Sequence, residues 1–192
     1  GLPPAAGTAR RPLPLLHAVA LTRRILEALG HAHGHGVVHR DIKPSNVLIT
    51  ARGEPVLLDF GLARTGNHDR ARSLTESGAV MGTLAYMAPE QARGDAKHAD
   101  ARTDLYAVGA VLYEMLAGRP VLLLEGNWLR DLGRIVDAEP APLCRVQPSV
   151  PPDLGVIVHK ALAREPSRRY ATCADLAEDL RRFLASEPIE AR

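Results

Sequence analysis

The chain has 192 residues, of which 46% are hydrophobic and 24% charged, and this size and apolar content suit one ordinary globular domain. Its formal net charge of +2 is nearly balanced, which argues against nucleic acid as a partner. The two cysteines, Cys144 and Cys173, lie far apart, so their spacing indicates neither a disulfide framework nor a zinc site and fits a reducing cytosol.

The first predicted helix follows a loop rich in Pro, Ala and Gly. Apolar residues recur at mainly helical spacing until Gly34 and Gly36, which predicts a helix over about Leu15 to His33. Its end carries alternating histidines, at positions 31, 33 and 35. We expect this spacing to disperse them around the helix surface, with a metal-binding tract as the alternative.

Three short β-favouring runs come next, at Val37–Val38, Val47–Ile49 and Val56–Leu58, with turn residues between them. They predict short strands beside helices. The polar stretch from Thr65 to Met81 has no clear period and predicts a long loop.

The second half of the chain is predicted to be helical. The predicted helices are Asp104 to Ala117, Leu129 to Asp137, Pro152 to Ala163 and Cys173 to Ala185. Gly118 is a plausible stop for the first of them, and Thr172 with Asp175 forms a near capping box for the last. The apolar window from Leu105 to Leu124 is interrupted by charged residues, Gly and Pro, which favours a buried helix plus loop over a membrane span.

Polar residues suited to phosphoryl transfer occur together in the segment from His39 to Asn46, between two predicted strands. Such transfer needs a carboxylate to orient the attacking hydroxyl, a cation near the phosphoryl oxygens and oxygen ligands for magnesium. Asp41, Lys43 and Asn46 supply these groups. The segment is therefore a candidate catalytic loop.

A second carboxylate, Asp59, stands at the end of the apolar run Val56–Leu58. This placement predicts that Asp59 and Asn46 share a metal ion. Magnesium takes a few protein oxygens and completes its shell with water and phosphate, so one Asp and one Asn are a reasonable protein contribution.

Three motifs now stand in order along the chain: H-R-D-x-x-x-x-N over His39–Asn46, D-F-G over Asp59–Gly61 and A-P-E over Ala88–Glu90. Each alone is weak, but three in this order are specific, and the chain resembles protein kinases over about Leu15 to Leu184. The run Gly82–Gln91 makes it most similar to the bacterial eukaryotic-like, or Hanks-type, serine/threonine kinases. The resemblance implies a mainly α (α+β) fold, the helical C-terminal lobe of a kinase with short β-hairpin elements at its cleft.

The resemblance also implies roles for individual residues. Asp41 would be the catalytic base or the group that orients the hydroxyl, Lys43 would neutralise the γ-phosphoryl group, and Thr83 would bridge the two. ATP and Mg²⁺, or Mn²⁺, would be the cofactors. The residues implied to bind nucleotide or metal are Lys43, Asn46, Leu48 as the adenine floor, and Asp59.

The stretch from Asp59 to Glu90 is similar to the kinase activation segment. Arg40 marks the kind of kinase in which a phosphate on this segment is held by an arginine, and the candidate phosphosites are Ser73, Thr75 and Ser77. The residues implied to be structural are His39, Phe60, Gly61, Glu90 paired with Arg169, and Asp104 bracing the catalytic loop.

The resemblance implies three segments: residues 1–14, a loop remnant leading to a missing N-terminal lobe; residues 15–185, the C-terminal lobe; and residues 186–192, the start of a linker. No Gly-rich phosphate loop or strand lysine precedes His39. We therefore expect the chain alone to position ATP poorly. A stand-alone, non-catalytic binding module is the alternative; Glu90 and Arg169 argue against a small-molecule phosphotransferase.

The expected partners are protein substrates with Ser or Thr and the missing lobe in cis, together with a second copy for autophosphorylation. We expect neither nucleic acid nor a membrane span in this chain, and a cytoplasmic location, or the cytoplasmic side of a membrane-anchored parent.

Overall fold

The computed structural model describes residues 11–60, 84–95, 100–137 and 139–191. In chain order its elements are α1 Leu15–Gly34, β1 Val47–Ile49, β2 Pro55–Leu57, α2 Pro89–Ala92, α3 Ala101–Ala117, α4 Trp128–Asp137, α5 Leu143–Val146, α6 Pro152–Ala161 and α7 Cys173–Leu184. Two 3-10 turns, Pro44–Asn46 and Pro166–Arg168, lie between them. The expectation of a mainly helical fold with a small β-hairpin is confirmed.

Helix α3 is the centre of the core. Nearly every side chain from Thr103 to Tyr113 is buried, because the helix packs against α1 on one side and α6 on another. Gly109 allows the second contact: a Cβ atom there would lie 2.9 Å from the Cβ of Ala161. Burial of so much apolar surface on one helix fixes the position of its buried polar residues Thr103 and Asp104.

The remaining helices close the lobe around α3. Helix α1 also packs against α7, and α7 packs against α6, so the first and last long helices are neighbours. The predicted capping box of α7 is confirmed: Asp175 N–H donates to Thr172 Oγ1 at 3.2 Å, and Thr172 N–H donates to Asp175 Oδ2 at 2.9 Å. Gly118 ends α3 with a φ of 68°, as its position predicts.

The β-hairpin pairs its strands in antiparallel register, with Val47 opposite Leu57 and Ile49 opposite Pro55. One further backbone bond, from Leu58 N–H to the Asn46 carbonyl at 2.9 Å, extends the pairing past the strand ends. This bond places the residues before β1 beside those after β2.

Two local predictions are wrong. Val37–Val38 is not a strand, because the Val37 N–H turns back to the Ala32 carbonyl at 3.0 Å and closes the end of α1, with Gly36 at φ 73°. Helix α3 begins at Ala101 rather than Asp104, because Asp100 caps it by accepting from Arg102 N–H at 2.8 Å.

Residues 187–191 pack against α7. Ile189 is buried, Asp179 Oδ1 accepts from Glu190 N–H at 2.6 Å, and Arg182 pairs with Glu190 at 2.7 Å. Within the described ranges, no helix is both long enough and apolar enough to cross a membrane.

Candidate active site

Asp104, on the buried helix α3, organises the backbone of the segment from His39 to Asn46, called loop 39–46 below. Its side chain is fully buried. Oδ2 accepts from His39 N–H at 2.8 Å, and Oδ1 accepts from Arg40 N–H at 2.7 Å. His33 Nε2 makes a third contact, 2.8 Å from Oδ2. One rigid carboxylate therefore fixes the start of the loop.

His39 joins loop 39–46 to the residues after β2. Its buried ring places Nε2 2.8 Å from the Leu58 carbonyl and Nδ1 3.3 Å from Asp41 N–H. A ring with its hydrogen on Nε2 satisfies both contacts, since Nε2 then donates and Nδ1 accepts. The Phe60 ring lies beside it, with centroids 4.7 Å apart.

The Asp41 side chain is held by one ammonium group and one amide group of its own loop. Lys43 Nζ lies 3.0 Å from Asp41 Oδ2, and Asn46 Nδ2 donates to the same oxygen at 3.2 Å and to the Asp41 carbonyl at 2.8 Å. The side chains of Asp41 and Lys43 are each 19% exposed, so both can reach a ligand while remaining fixed. The structure thus brings together the three polar residues predicted from this loop.

A divalent cation fits the chemistry of the oxygen atoms near Asn46. Its amide nitrogen points at Asp41, so the amide oxygen is the atom of this side chain that can bind a metal. Asp59 follows Leu58, whose backbone is bonded to both Asn46 and His39, and offers a carboxylate on an exposed residue. Amide and carboxylate oxygens are the ligands that Mg²⁺ prefers.

Two residues of this region have strained backbones. Arg40 has a φ of 65° and Asp59 a φ of 62°, in the left-handed region that side chains disfavour. Such strain persists only where surrounding contacts impose it, and it is concentrated at functional sites. Leu48, predicted to contact adenine, is 54% exposed on β1 next to this region.

Glu90 and Arg169 form a buried, bidentate ion pair. Arg169 Nη1 and Nη2 each lie 2.7 Å from one Glu90 oxygen, and Thr103 Oγ1 donates to Glu90 Oε1 at 2.9 Å. The remaining guanidinium hydrogens go to the carbonyls of residues 102, 163 and 164. All five guanidinium donors are therefore used, and α2 is anchored to the segment before α7.

Tyr106 lies beneath this ion pair. The Arg169 guanidinium carbon is 4.9 Å from the centroid of the Tyr106 ring. Burial raises the pKa of Tyr106 to about 12, although the charge of Arg169 opposes the shift. The pair therefore rests on an apolar, water-excluded floor.

The sequence pattern does not predict the contacts of His33 or Gln91. His33 contacts Asp104 and lies 3.4 Å from Cys173 Sγ through Nδ1, while Gln91 Nε2 donates to the Arg40 carbonyl at 2.9 Å. These partners are distant in sequence, so no local pattern reveals them. Only the contact of Gln91 Oε1 with Ala88 N–H, at 3.1 Å, has a local signal, because a Gln three residues after an N-cap residue can accept from the backbone N–H of that residue.

The histidines at the end of α1 are not dispersed around its surface. His33 points inward to Asp104, while the rings of His31 and His35 lie 4.5 Å apart. Among the residues that the structure describes, no group of three or more His, Cys, Asp or Glu side chains could hold a metal ion.

Several predicted residues lie outside the described residues: Gly61, Thr83, the candidate phosphosites Ser73, Thr75 and Ser77, and the whole predicted loop from Thr65 to Met81.

Comparison with known proteins gives consistent matches. The family model described as protein kinase domain matches residues 8–180. Serine/threonine-protein kinase PknB of Mycobacterium leprae is 38% identical over 180 residues, covering 94% of this chain and 28% of the relative. PknB of Mycolicibacterium smegmatis is 39% identical over 169 residues, covering 88% and 26%. The probable serine/threonine-protein kinase SCO3848 of Streptomyces coelicolor is 37% identical over 171 residues, covering 89% and 25%. The chain thus spans little more than a quarter of the length of these relatives.

Proposed function

This chain belongs to the protein kinase family, and we propose that it forms the catalytic and metal-binding part of a bacterial serine/threonine protein kinase. The reaction is transfer of the γ-phosphoryl group of ATP to Ser or Thr hydroxyls of proteins. Members of the family use ATP and a divalent cation in general; their use by this chain is part of the proposal. A cytoplasmic location belongs to it too, since ATP is available there and both cysteines are free.

The observation that carries the proposal is the fixed arrangement of Asp41. Its side chain contacts Lys43 and Asn46, and its own N–H is held by His39, whose backbone is in turn held by Asp104. A carboxylate immobilised in this way can orient a hydroxyl without reorganising during the reaction.

In the proposed step, the hydroxyl oxygen of the substrate forms a bond to the γ-phosphorus while the bond from that phosphorus to the β,γ-bridging oxygen breaks. Asp41 orients the hydroxyl and accepts its proton, and ADP leaves with the bridging oxygen. Lys43, 3.0 Å from Asp41, offsets the negative charge of the phosphoryl oxygens.

Asn46 and Asp59 are proposed to hold Mg²⁺ or Mn²⁺ through their oxygens, and Leu48 to contact adenine. When bound, the cation supplies positive charge that neutralises the phosphate oxygens and fixes their geometry. Asn46 is suited to bind the cation through its amide oxygen, because its amide nitrogen is already fixed by Asp41.

Control of activity is proposed to act through Arg40 and the segment that follows Asp59. A phosphate on Ser73, Thr75 or Ser77, added by a second copy of the kinase, would pair with Arg40, and Thr83 would bridge Asp41 and Lys43. These assignments remain predictions drawn from the family resemblance.

The proposal is tested by measuring transfer of labelled γ-phosphate to a generic protein substrate with and without Mg²⁺. The chain is compared with a form extended upstream by an N-terminal kinase lobe, and the extended form is made as Asp41→Asn, Asp59→Asn and Asp137→Asn. The last is a matched control, because the Asp137 side chain is 80% exposed and outside the site.

We expect magnesium-dependent transfer by the extended form, a loss of at least about 100-fold in Asp41→Asn and Asp59→Asn, and wild-type activity in Asp137→Asn. An extended form that binds ATP but transfers no phosphate would contradict the proposal and favour a non-catalytic binding module. Full activity in Asp41→Asn would contradict the role of that carboxylate.

A further inference from the structure

Gln91 connects α2 to loop 39–46 through one side chain. Its Nε2 donates to the Arg40 carbonyl at 2.9 Å, and its Oε1 accepts from Ala88 N–H at 3.1 Å. The donor and the acceptor of the amide thus contact backbone groups that lie far apart in the sequence. Neither contact has a part in the function proposed above.

The contacted carbonyl belongs to a peptide unit that is held from several sides. Arg40 has a φ of 65°, and its N–H is held by Asp104 Oδ1. Its carbonyl and the N–H of Asp41 form one planar peptide group. Gln91 holds the oxygen of that group, and His39 Nδ1 holds its hydrogen at 3.3 Å.

This peptide plane determines the direction of Asp41. Rotation of the plane would change the backbone angles on both sides of it and would swing the Asp41 side chain away from Lys43 and Asn46. Arg40 would lower its conformational energy by leaving the left-handed region. The peptide plane therefore needs to be held on both edges. His39 alone contacts only one edge.

Helix α2 is itself a firm support for Gln91. The preceding residue, Glu90, is fixed by the buried pair with Arg169. The position of Arg169 is therefore transmitted through Glu90 and Gln91 to the Arg40 carbonyl, and from there to Asp41.

We propose that Gln91 is a positioning residue for phosphoryl transfer: it holds the Arg40–Asp41 peptide plane in the orientation that presents Asp41 to the substrate hydroxyl. This inference rests on the proposed function. It assigns to Gln91 an effect on the rate of the chemical step, exerted through the donor Nε2 and not through its capping acceptor.

Two variants separate the two hydrogen bonds. Gln91→Glu keeps an oxygen that accepts from Ala88 N–H but loses the donor to the Arg40 carbonyl. Gln91→Lys replaces the amide by an ammonium donor on a longer side chain, which we expect to reach the Arg40 carbonyl, and it loses the acceptor for Ala88 N–H. Both variants are expected to lose thermal stability, because Glu places a carboxylate oxygen against the Arg40 carbonyl oxygen and Lys leaves Ala88 N–H without its acceptor.

The measurement is kcat and the KM values for ATP and protein substrate, in the upstream-extended form at saturating Mg²⁺. We expect Gln91→Glu to lower kcat about 10- to 100-fold with both KM values within about twofold, as a small misplacement of a catalytic group would. We expect Gln91→Lys to lose less than about fivefold.

Equal losses in the two variants would overturn the inference, because the capping bond would then matter as much as the bond to Arg40. A change confined to the KM for protein substrate would overturn it too, since Gln91 would then contact the substrate. An active wild type with unchanged Gln91→Glu contradicts only this inference, whereas an inactive wild type contradicts the proposed function.

Discussion

Asp104 shows how much of the site depends on a single buried side chain. It accepts from two successive backbone N–H groups of loop 39–46 and contacts His33, with no exposure to solvent. A buried carboxylate is costly unless its oxygens are hydrogen-bonded, and here the loop supplies the donors. The conformation of the loop and the burial of Asp104 therefore stabilise each other.

Replacing Asp104 with Asn is expected to destabilise the chain. The amide has one acceptor oxygen, so an NH₂ group would face either His39 N–H or Arg40 N–H and leave it unpaired. An unpaired buried donor costs about 1–3 kcal/mol. Urea denaturation of Asp104→Asn should show this loss.

The matched control for this substitution is Asp137→Asn, at an exposed side chain, which is expected to change stability by less than about 0.5 kcal/mol. If the two variants were equally stable, the hydrogen bonds of Asp104 would contribute nothing measurable.

At the scale of secondary-structure elements, the main feature is the ion pair that connects α2 to the segment before α7. The Arg169 and Glu90 side chains are 0% and 3% exposed. A pair this deeply buried contributes to stability only while both partners and their hydrogen bonds remain. It fixes the position of α2, and with it the position of Gln91.

Arg169→Met removes the cation and keeps the apolar part of the side chain. We expect a loss of about 3–5 kcal/mol in the free energy of unfolding, because Glu90 is left as an unpaired buried charge. The double variant with Glu90→Gln should recover part of this loss. Chemical denaturation of the two variants measures both effects.

The ion pair between Arg134 and Glu125, whose side chains are 44% and 56% exposed, is the exposed control for the buried pair of Arg169 and Glu90. Arg134→Met should cost at most about 1 kcal/mol. A similar cost for Arg134→Met and Arg169→Met would mean that burial does not determine the strength of the Arg169 pair.

The long helices could be predicted from sequence because each needs an apolar stripe at helical spacing. Helices α2 and α5 could not, since four residues are too few for a period to emerge. Val37–Val38 has β-favouring side chains but no partner strand among the described residues, and the Val37 N–H donates to the end of α1 instead.

The candidate site also has features that a local sequence pattern predicts and features that it does not. Asp41, Lys43 and Asn46 could be predicted together because they lie in one short loop. The contacts of His33 with Asp104 and of Gln91 with Arg40 join residues 71 and 51 positions apart, and only the packing of α1, α2 and α3 brings them together. Side-chain contacts of this kind need the fold as well as the motif.

On the scale of the whole molecule, buried groups that release protons at high pH link stability to pH. Burial and the nearby carboxylate of Asp104 raise the pKa of the Cys173 thiol to about 12, and burial raises the pKa of Tyr106 to about 12. The pKa of Tyr170 is raised as well, by burial and by its hydrogen bond to Asp179. In the unfolded chain these groups lose their protons near pH 9 to 10.

Stability is therefore expected to fall as the pH rises from about 9 to about 12. In this window the unfolded chain has released protons that the folded chain still holds, so each increase in pH favours unfolding. The stabilisation is fully present below pH 9. Urea denaturation between pH 7.5 and pH 11 should show a plateau followed by a decline.

The variants Cys173→Ala and Tyr106→Phe assign the decline to particular groups. Removing the thiol should flatten the decline that begins near pH 9, and removing the Tyr106 hydroxyl should flatten the part above pH 10. A free energy of unfolding that stays constant up to pH 11 would contradict the assignment.

The packing of α1 against α7 also has a consequence for synthesis on the ribosome. Ribosomes add about 5–20 residues per second, so the residues between the end of α1 and the start of α7 take about 7–30 s to be made. During that time the apolar residues of α1 that contact α7 lack this contact. Other apolar surfaces in the cell can bind them instead. This lobe becomes complete only when nearly all of its chain has left the exit tunnel.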